Sequence, residues 1–399
     1  MSQNPQHIIN HLGEEEARFA GAVIPPIVQS SLFVFPDVAS REGNYRIDDE
    51  ANADTLAGGG LSNRYDYTRV CNPTTDLAEK KIAALEGGEA ARCFGSGMGA
   101  VSAAILSCVK AGDHIIAPET VYGPTRLFFE KYLPRFGIST TLVNGSRLED
   151  FSENLKANTT LIFLESPSSV VMLQQDLAGV AQLAKAHGAS TVIDNSWASP
   201  LFQKPLLMGI DLSVHSATKY LGGHSDIIAG VVIGSNERLT SLTFNEGCLL
   251  GSVLDPFAAW LLVRGLRTLP VRMRQHQETS REIALRLEAH PKVRAVHYPG
   301  VKNDRQADLT RKQLTGTSGL LSFALNTQTK EAGDLLVNSL QSFSIGCSWG
   351  GFENLALPMS VPGSFVGVPE SRYYVVRISI GLETVEDIWC DLERALEKV

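Results

Sequence analysis

A short segment of the chain places two hydroxyl side chains beside a lysine. In Ser216-Ala217-Thr218-Lys219 the hydroxyls stand three positions and one position before the amine. A lysine that holds an aldehyde needs a lowered pKa and a fixed position, because only the neutral amine attacks a carbonyl. The hydroxyls are suited to hold a phosphate of the same ligand. The pattern makes Lys219 a candidate for binding an aldehyde, although most lysines beside hydroxyls are solvated surface residues.

A carboxylate lies upstream of this lysine, at the end of an apolar run. Asp194 follows Thr191-Val192-Ile193, and the carboxyl ends of strands in an open α/β sheet line the binding crevice. A carboxylate there can face a pyridine nitrogen and keep it protonated, so that the ring accepts the electrons released with a substrate α-proton. Taken alone, Asp194 is better explained as a helix cap.

A glycine-rich turn and a tyrosine complete the candidate site. The turn Gly95-Ser96-Gly97-Met98-Gly99 precedes the helix-like residues 100–106, so the backbone amides of Gly97 and Met98 are expected at a helix N-terminus, where anions bind. Tyr122 follows the strand-like Ile115-Ile116 and can stack on a flat heterocycle, with buried packing as the alternative. An aldehyde, a pyridine ring and a phosphate together describe pyridoxal 5'-phosphate (PLP).

These residues must be positioned by an alternation of strands and helices. Short β-branched runs alternate with helix-like stretches such as 176–187, which predicts right-handed crossovers and a mainly parallel sheet. Helical spacing from Thr75 to Leu85 stops at Gly87-Gly88. A long helix is predicted near Pro256, followed by less regular strands. The runs read as strands are 114–118, 140–144, 160–166, 190–196 and 230–235, then 293–298, 319–325 and 375–380.

The same patterns predict three parts of the chain. Residues 1–60 lack sustained periodicity and are read as an N-terminal extension, an arm that contacts a neighbouring subunit; the polar stretch from Gly43 to Gly60 ends in three glycines. Residues 61–256 are predicted to form an α/β domain that binds PLP. Residues 257–399 are predicted to form a smaller C-terminal α+β domain.

Composition excludes several classes of function. The 399 residues are 44% hydrophobic and 20% charged, which is usual for globular proteins, and the net charge of -8 without a basic run argues against a nucleic-acid or anionic-membrane partner. The first residues lack a basic flank followed by an apolar core, and no apolar stretch reaches membrane-spanning length, so a cytoplasmic location is expected. Six scattered cysteines without ligand spacing predict reduced thiols and no metal site.

With these residues in view, the sequence resembles the PLP-dependent enzymes of cysteine and methionine metabolism, the cystathionine lyase and synthase family, over nearly its whole length. The resemblance implies PLP fold type I, as in aspartate aminotransferase, with a mainly parallel seven-stranded sheet. It also implies a homotetramer, a dimer of dimers. The motifs that carry it are 21–27, 67–74, the turn 95–98, Asp194, the segment 216–219 and Arg377-Ile378-Ser379.

The resemblance also implies a role for each site residue. Lys219 moves protons after releasing the cofactor, and Tyr122 stacks on the pyridine ring. Tyr67 and Arg69 reach the cofactor phosphate of a neighbouring subunit. The residues expected to be catalytic are Lys219, Tyr122 and Tyr67. Without the family resemblance, the pattern would be interpreted as an exposed loop pair of Tyr67 and Arg69. The residues implied to bind the substrate are Arg377 and Ser348 at the α-carboxylate, with Trp349 and Tyr122 beside them.

Local features favour one reaction within the family. Asp194-Asn195-Ser196-Trp197, 223–226 and 348–353 resemble bacterial cystathionine β-lyases, which release a thiol, pyruvate and ammonia. Ser169-Val170 replaces the Asn-Pro of many γ-acting members, which puts one cofactor contact in doubt. The alternatives are a methionine γ-lyase, which residues 67–79 also resemble although Pro124 stands where a cysteine is common, and a cystathionine γ-lyase or γ-synthase. A non-enzymatic small-molecule-binding α/β protein is the alternative of another class.

Overall fold

The computed structural model describes residues 4–17, 19–44 and 65–399, and its larger sheet has seven strands. Their order is β1-β7-β6-β5-β4-β2-β3, and every strand except β7 runs in the same direction. The prediction of a mainly parallel seven-stranded sheet is therefore confirmed. The strands are β1 (Ala90–Phe94), β2 (His114–Pro118), β3 (Ser139–Val143), β4 (Thr159–Glu165), β5 (Ser190–Asp194), β6 (Leu212–His215) and β7 (Gly230–Gly234).

Helices cover both faces of this sheet, as parallel strands that are apolar on both sides require. On one face of the sheet α5 packs over the strand residues Val192 and Val214, and on the other face α8 packs over Ile162 and Ile193. The helices are α1 (Pro5–His11), α2 (Glu14–Ala17), α3 (Val38–Asn44), α4 (Pro73–Glu86), α5 (Gly97–Leu106), α6 (Gly123–Leu127), α7 (Leu148–Ser152), α8 (Leu177–His187), α9 (Ser199–Phe202), α10 (Asn236–Leu242), α11 (Cys248–Leu250), α12 (Pro256–Ala289), α13 (Ala307–Gln313), α14 (Lys330–Ser339) and α15 (Val385–Leu396).

The helix α4 shows how local sequence sets the ends of an element. The Asn72 side chain accepts a hydrogen bond from the Thr74 N–H at 2.8 Å, and Pro73 occupies the first helical position. Gly87 ends the helix with a φ of 85°, a left-handed conformation that favours glycine. The predicted helix is confirmed and extends by two residues at its start and one at its end.

A second sheet follows the long helix α12, which begins at Pro256 as predicted, with Asp255 as its cap. The order is β10-β11-β12-β9-β8, and β12 lies in the middle, where it carries Arg377. The division of the chain at residue 256 stays a prediction, although the two sheets lie on either side of it. The strands are β8 (Val293–His297), β9 (Leu320–Leu325), β10 (Ser344–Ile345), β11 (Leu355–Pro362) and β12 (Arg372–Ser379).

Some elements were not predicted. The strand β6 has only four residues, and β11 contains Pro358 and Pro362, which normally argue against a strand. The structure tolerates Pro358 because β10 pairs only with Leu355 and Ala356, so that one side of β11 is a free edge beyond them. Proline lacks the N–H that an interior position would have to donate.

The N-terminal region contains a helix that the sequence analysis did not predict. Ile8 and Ile9 of α1 are buried in the main hydrophobic core, and the buried amine of Lys81 donates to the carbonyl oxygens of both residues. This part of the predicted extension therefore packs against its own chain. Residues 45–60 of the predicted polar arm lie outside the described residues. Within the described ranges, no helix is both long and apolar enough to cross a bilayer.

Candidate active site

Three neighbouring strands of the large sheet end at the candidate site. Asp194 is the last residue of β5 and is paired in register with Glu165 at the end of β4 and with Val214 on β6. After β6 the chain turns through Ser216, whose carbonyl accepts from the N–H of Lys219 at 3.0 Å. The parallel arrangement thus brings the predicted lysine and the predicted aspartate to the same edge.

The amine of Lys219 points into the structure. Its Nζ donates to the Ser348 hydroxyl at 2.7 Å and lies 5.4 Å from the centre of the Trp349 ring. Burial lowers the pKa of Lys219 below its ordinary value, the charge of Arg377 lowers it further, and Asp194 opposes the shift. This environment favours the neutral amine that attack on an aldehyde or removal of a proton requires.

Asp194 is held by hydrogen bonds near this amine. Its Oδ1 accepts from the N–H of Ser196 at 3.0 Å, and the Ser196 hydroxyl accepts from the N–H of Ser216 at 2.7 Å. Burial raises the pKa of Asp194, while the hydrogen bonds of Ser196 and the charges of His215 and Lys219 act in the opposite direction. A cationic ring nitrogen against Asp194 would relieve this cost of burial, which fits the predicted role.

The Gly95–Gly99 turn leads into the N-terminus of α5, where an anion site is predicted. Ser96 caps α5: its hydroxyl accepts from the Gly99 N–H at 3.0 Å and its carbonyl accepts from the Ala100 N–H at 3.1 Å. The N–H groups of Gly97 and Met98 remain for an acceptor outside the helix. A Cβ on Gly97 would lie 2.6 Å from the Ser216 hydroxyl, so only glycine lets this turn approach that side chain. The two amides and the hydroxyl suit a phosphate.

The hydroxyl of Thr218, which was predicted to contact a phosphate, hydrogen-bonds to the backbone of its own chain. Its side chain donates to the carbonyl of Ala229 at 3.1 Å and accepts from the Ala229 N–H at 3.0 Å. These bonds tie the lysine segment to the start of β7. Contact between Thr218 and a phosphate therefore stays a prediction, whereas Ser216 faces the glycine turn directly.

Arg377 and Tyr122 are close enough to the candidate site to interact with its charges: besides burial, Arg377 lowers the pKa of Lys219 and Asp194 raises that of Tyr122. Tyr122 begins α6 with 48% of its side chain exposed, and burial raises its pKa. Arg377 is buried on β12, where its guanidinium donates to the carbonyls of Ser169 at 3.4 Å and Cys347 at 3.1 Å. Trp349 packs on Tyr220 in the hydrophobic core, so its contact with a substrate stays a prediction.

Tyr67 and Arg69 are placed differently. Tyr67 bridges to Leu32 and is 42% exposed. The Arg69 guanidinium lies 5.5 Å from the Tyr67 ring centre and donates to the Cys248 carbonyl at 2.8 Å. In the part of the chain that the structure describes, these contacts do not join the pair to Lys219. A role in this chain's own pocket is therefore not indicated.

The sequence analysis missed Glu165 as a site residue. It ends β4 as Asp194 ends β5, so the same end-of-strand argument applies to it. Its carboxylate accepts from the backbone N–H groups of Tyr122 at 2.5 Å and Ser169 at 2.8 Å. Burial and the neighbouring Asp194 raise the pKa of Glu165 to about 8.

A family model supplies the observation that decides the classification. The model described as "Cys/Met metabolism PLP-dependent enzyme" matches residues 7–397. The chain belongs to this family. The resemblance seen in the sequence is confirmed, as are the enzymatic nature of the chain and PLP as its cofactor. The alternative of a non-enzymatic binding protein is thereby set aside.

Individual relatives in the family have different activities. An L-methionine gamma-lyase from Treponema denticola is 38% identical, with 98% of this chain and 96% of the relative aligned. A cystathionine beta-lyase from Lactococcus lactis subsp. cremoris is 37% identical, with 97% of each chain aligned. The crystal structure of metB from Corynebacterium glutamicum has a TM-score of 0.87 at 33% identity and covers 100% of this chain and 98% of its own. The family and fold type I are shared, but these names divide between β- and γ-acting enzymes.

Proposed function

We propose that this chain is a PLP-dependent carbon-sulfur lyase that cleaves cystathionine or related cysteine conjugates by β-elimination. The observation that carries the proposal is the Lys219 amine, which is held by Ser348 and interacts electrostatically with Asp194 and Arg377. Trp349 supports the β-acting assignment, because it belongs to the Ser348–Glu353 stretch that resembles β-lyases and lies against the Lys219 amine.

The residues divide the work of holding the two reactants. Ser216 and the amides of Gly97 and Met98 bind the cofactor phosphate, with Thr218 as a further ligand. Tyr122 stacks on the ring, and Asp194 keeps the ring nitrogen protonated. When bound, PLP supplies an aldehyde that captures an amino group and a cationic ring that accepts an electron pair.

Arg377 and Lys219 act on the substrate. Arg377 binds the α-carboxylate through paired charge-assisted hydrogen bonds, with Ser348 as a second donor and Trp349 and Tyr122 as the neighbouring walls. Lys219 then takes the α-proton on its neutral Nζ. The Cβ–S bond breaks with its electron pair on sulfur, and the resulting ammonium of Lys219 can protonate the departing thiolate. Water converts the three-carbon remainder into pyruvate and ammonia.

Incubation with cystathionine tests the assignment directly. We expect pyruvate and homocysteine as products, because β-elimination breaks the bond on the three-carbon side of the sulfur. The keto acids are separated by chromatography after derivatisation, with boiled protein as the control. Exclusive formation of 2-oxobutyrate and cysteine would show γ-elimination and overturn the proposal.

Methionine γ-elimination is the second candidate. Several relatives of 36–39% identity that align over nearly the whole chain are named L-methionine gamma-lyases, and residues 67–79 resemble them. Methanethiol and 2-oxobutyrate from methionine would favour this candidate.

We also propose that Tyr67 and Arg69 complete the site of a neighbouring subunit in a homotetramer. Large apolar side chains near this pair are exposed in the single chain, as an interface between subunits requires. The exposed fractions are 53% for Leu32, which bridges to Tyr67, 84% for Val34, and 77% for Leu249, which follows the Cys248 that Arg69 contacts.

Mixing two inactive variants tests the shared site. Arg69→Ala damages the residue given to the neighbour, and Lys219→Ala damages the residue kept by the chain. Co-expression is expected to restore about one quarter of the wild-type activity, because random pairing yields dimers with one intact site. Each variant expressed alone is the control, and a mixture as inactive as the two controls would contradict a shared site.

A further inference from the structure

The carboxylate of Glu165 lies between two backbone segments of the pocket. Its side chain is buried, with 5% exposed. Oε2 accepts from the N–H of Tyr122 and Oε1 accepts from the N–H of Ser169, so each oxygen has its own donor. One side chain therefore fixes both Tyr122, at the start of α6, and the loop after β4.

The contacts continue from this loop to the arginine. The Ser169 carbonyl accepts from Nη1 of Arg377, whose Nη2 donates to the carbonyl of Cys347. Cys347 precedes Ser348, which accepts from Lys219. Glu165 thus begins a continuous path of hydrogen bonds and peptide units that joins the Tyr122 side of the pocket to the Arg377 side.

We propose that Glu165 is a positioning residue that sets the Tyr122 ring and the Arg377 guanidinium at the correct separation for a cofactor-bound amino acid. The inference rests on the roles proposed above for Tyr122 and Arg377. Glu165 acts through these two residues, and its own oxygens are occupied by backbone donors.

The electrostatic cost of Glu165 supports this role. It pairs in register with Asp194, so the buried carboxylate of Glu165 and the half-buried carboxylate of Asp194 lie at the same edge of the sheet. Burial raises the pKa of both groups, and the charge of Asp194 raises the pKa of Glu165 further. A group that violates the rules for a stable interior is expected where geometry serves function.

The chemistry of the clamp explains why glutamate is needed. A glutamine has one acceptor oxygen, and its NH2 group would oppose one of the two backbone N–H donors. That N–H would remain unsatisfied in a buried place, and the segment carrying it would move. An aspartate retains both oxygens, but its side chain is one methylene shorter.

Glu165→Gln tests the proposal through ligand binding. The PLP-loaded protein is titrated above the pKa of Glu165, so that both oxygens are acceptors. The ligand is glycine, which has the amine and carboxylate of a substrate but no leaving group, and binding is followed in the visible spectrum. We expect the Kd for glycine to rise about tenfold to a hundredfold, the scale of effects caused by small misplacements at a site. The Kd for PLP is measured in the same way and is expected to rise as the Tyr122 ring moves.

Glu288→Gln is the matched control. Glu288 also clamps two backbone N–H groups, those of Lys302 and Asn303, with one oxygen for each. It lies in the last turn of α12, and its two donors lie in the turn between β8 and α13. The same substitution is expected to leave the Kd values for glycine and PLP within about twofold of wild type.

The outcomes separate this inference from the proposed function. Thermal unfolding of each variant shows whether it is folded. A folded Glu165→Gln protein that binds glycine and PLP as the wild type does would overturn the positioning role. If Glu165→Gln does not fold, Glu165→Asp takes its place with the same expected rise and the same contrary result. Failure of the proposed site as a whole would instead appear as wild-type protein that PLP does not colour.

Discussion

Replacing Lys219 with alanine is expected to lower kcat by at least about 10⁴-fold, the upper range for loss of a general acid-base group. The variant loses the amine that holds the cofactor and moves the α-proton. Within the described residues, Lys219 is the lysine whose Nζ contacts Ser348 and Trp349. Steady-state rates are measured with PLP in excess, so that poor retention of the cofactor does not imitate loss of chemistry.

Lys312→Ala serves as the control for this substitution. Lys312 lies on the surface, where 59% of its side chain is exposed and its amine pairs with Asp176. An exposed ion pair of this kind contributes at most about 1 kcal/mol, so activity is expected to stay near that of the wild type. Turnover by Lys219→Ala at the rate of Lys312→Ala would refute the proposed mechanism.

Asp194→Asn is expected to lower kcat by about 10²- to 10³-fold, the range found when one preorganised electrostatic group is removed from a site. An amide can neither carry the negative charge nor keep the ring nitrogen protonated, so the α-proton becomes harder to remove. The rate of exchange of the glycine α-proton in deuterated water, followed by NMR, measures this step without a leaving group. The exchange rate is expected to fall together with kcat.

Asp211→Asn is the control for charge removal at this sheet. Asp211 accepts from the Thr191 N–H at 2.8 Å and pairs with Arg238 at 3.1 Å, at the opposite end of β5 and β6 from the site. This variant is expected to lose stability while its exchange rate stays near the wild-type value. Equal exchange rates in the Asp194 and Asp211 variants would contradict the assigned role of Asp194.

Local sequence could identify the residues whose roles depend on the strand or helix next to them. Asp194 and Lys219 follow short apolar strands of a parallel sheet, and strand ends of such sheets meet at one edge. The strands themselves were predictable because β-branched runs alternate with helical spacing. Most boundaries shifted by one or two residues, as for β3 at Ser139–Val143, whereas β12 begins three residues before the predicted run.

Contacts that join distant segments required the structure. Ser348 meets Lys219 across 129 positions, and Arg377 meets Ser169 across 208. Short-range periodicity contains no information on such pairs. Glu165 was within reach of the end-of-strand argument, but its function as a clamp depends on where the Tyr122 and Ser169 backbones lie.

The pair Tyr67 and Arg69 shows a different kind of limit. Their residue types and spacing give no reason to prefer a neighbour's site over an exposed loop, and only the family resemblance suggested the former. In the single chain Arg69 donates to Cys248 and stacks beside Tyr67. The proposed contact of this pair with a neighbour's cofactor belongs to an assembly of chains, and the fold of one chain does not show it.

The attachment of PLP to Lys219 is tested most directly by locating the cofactor. PLP-loaded protein is reduced with borohydride, digested, and analysed by peptide mass mapping. The account predicts that the reduced cofactor is attached to the peptide containing Lys219 and that the visible colour disappears on reduction. Attachment at a different lysine, or no attachment in protein that turns over its substrate, would contradict the central claim.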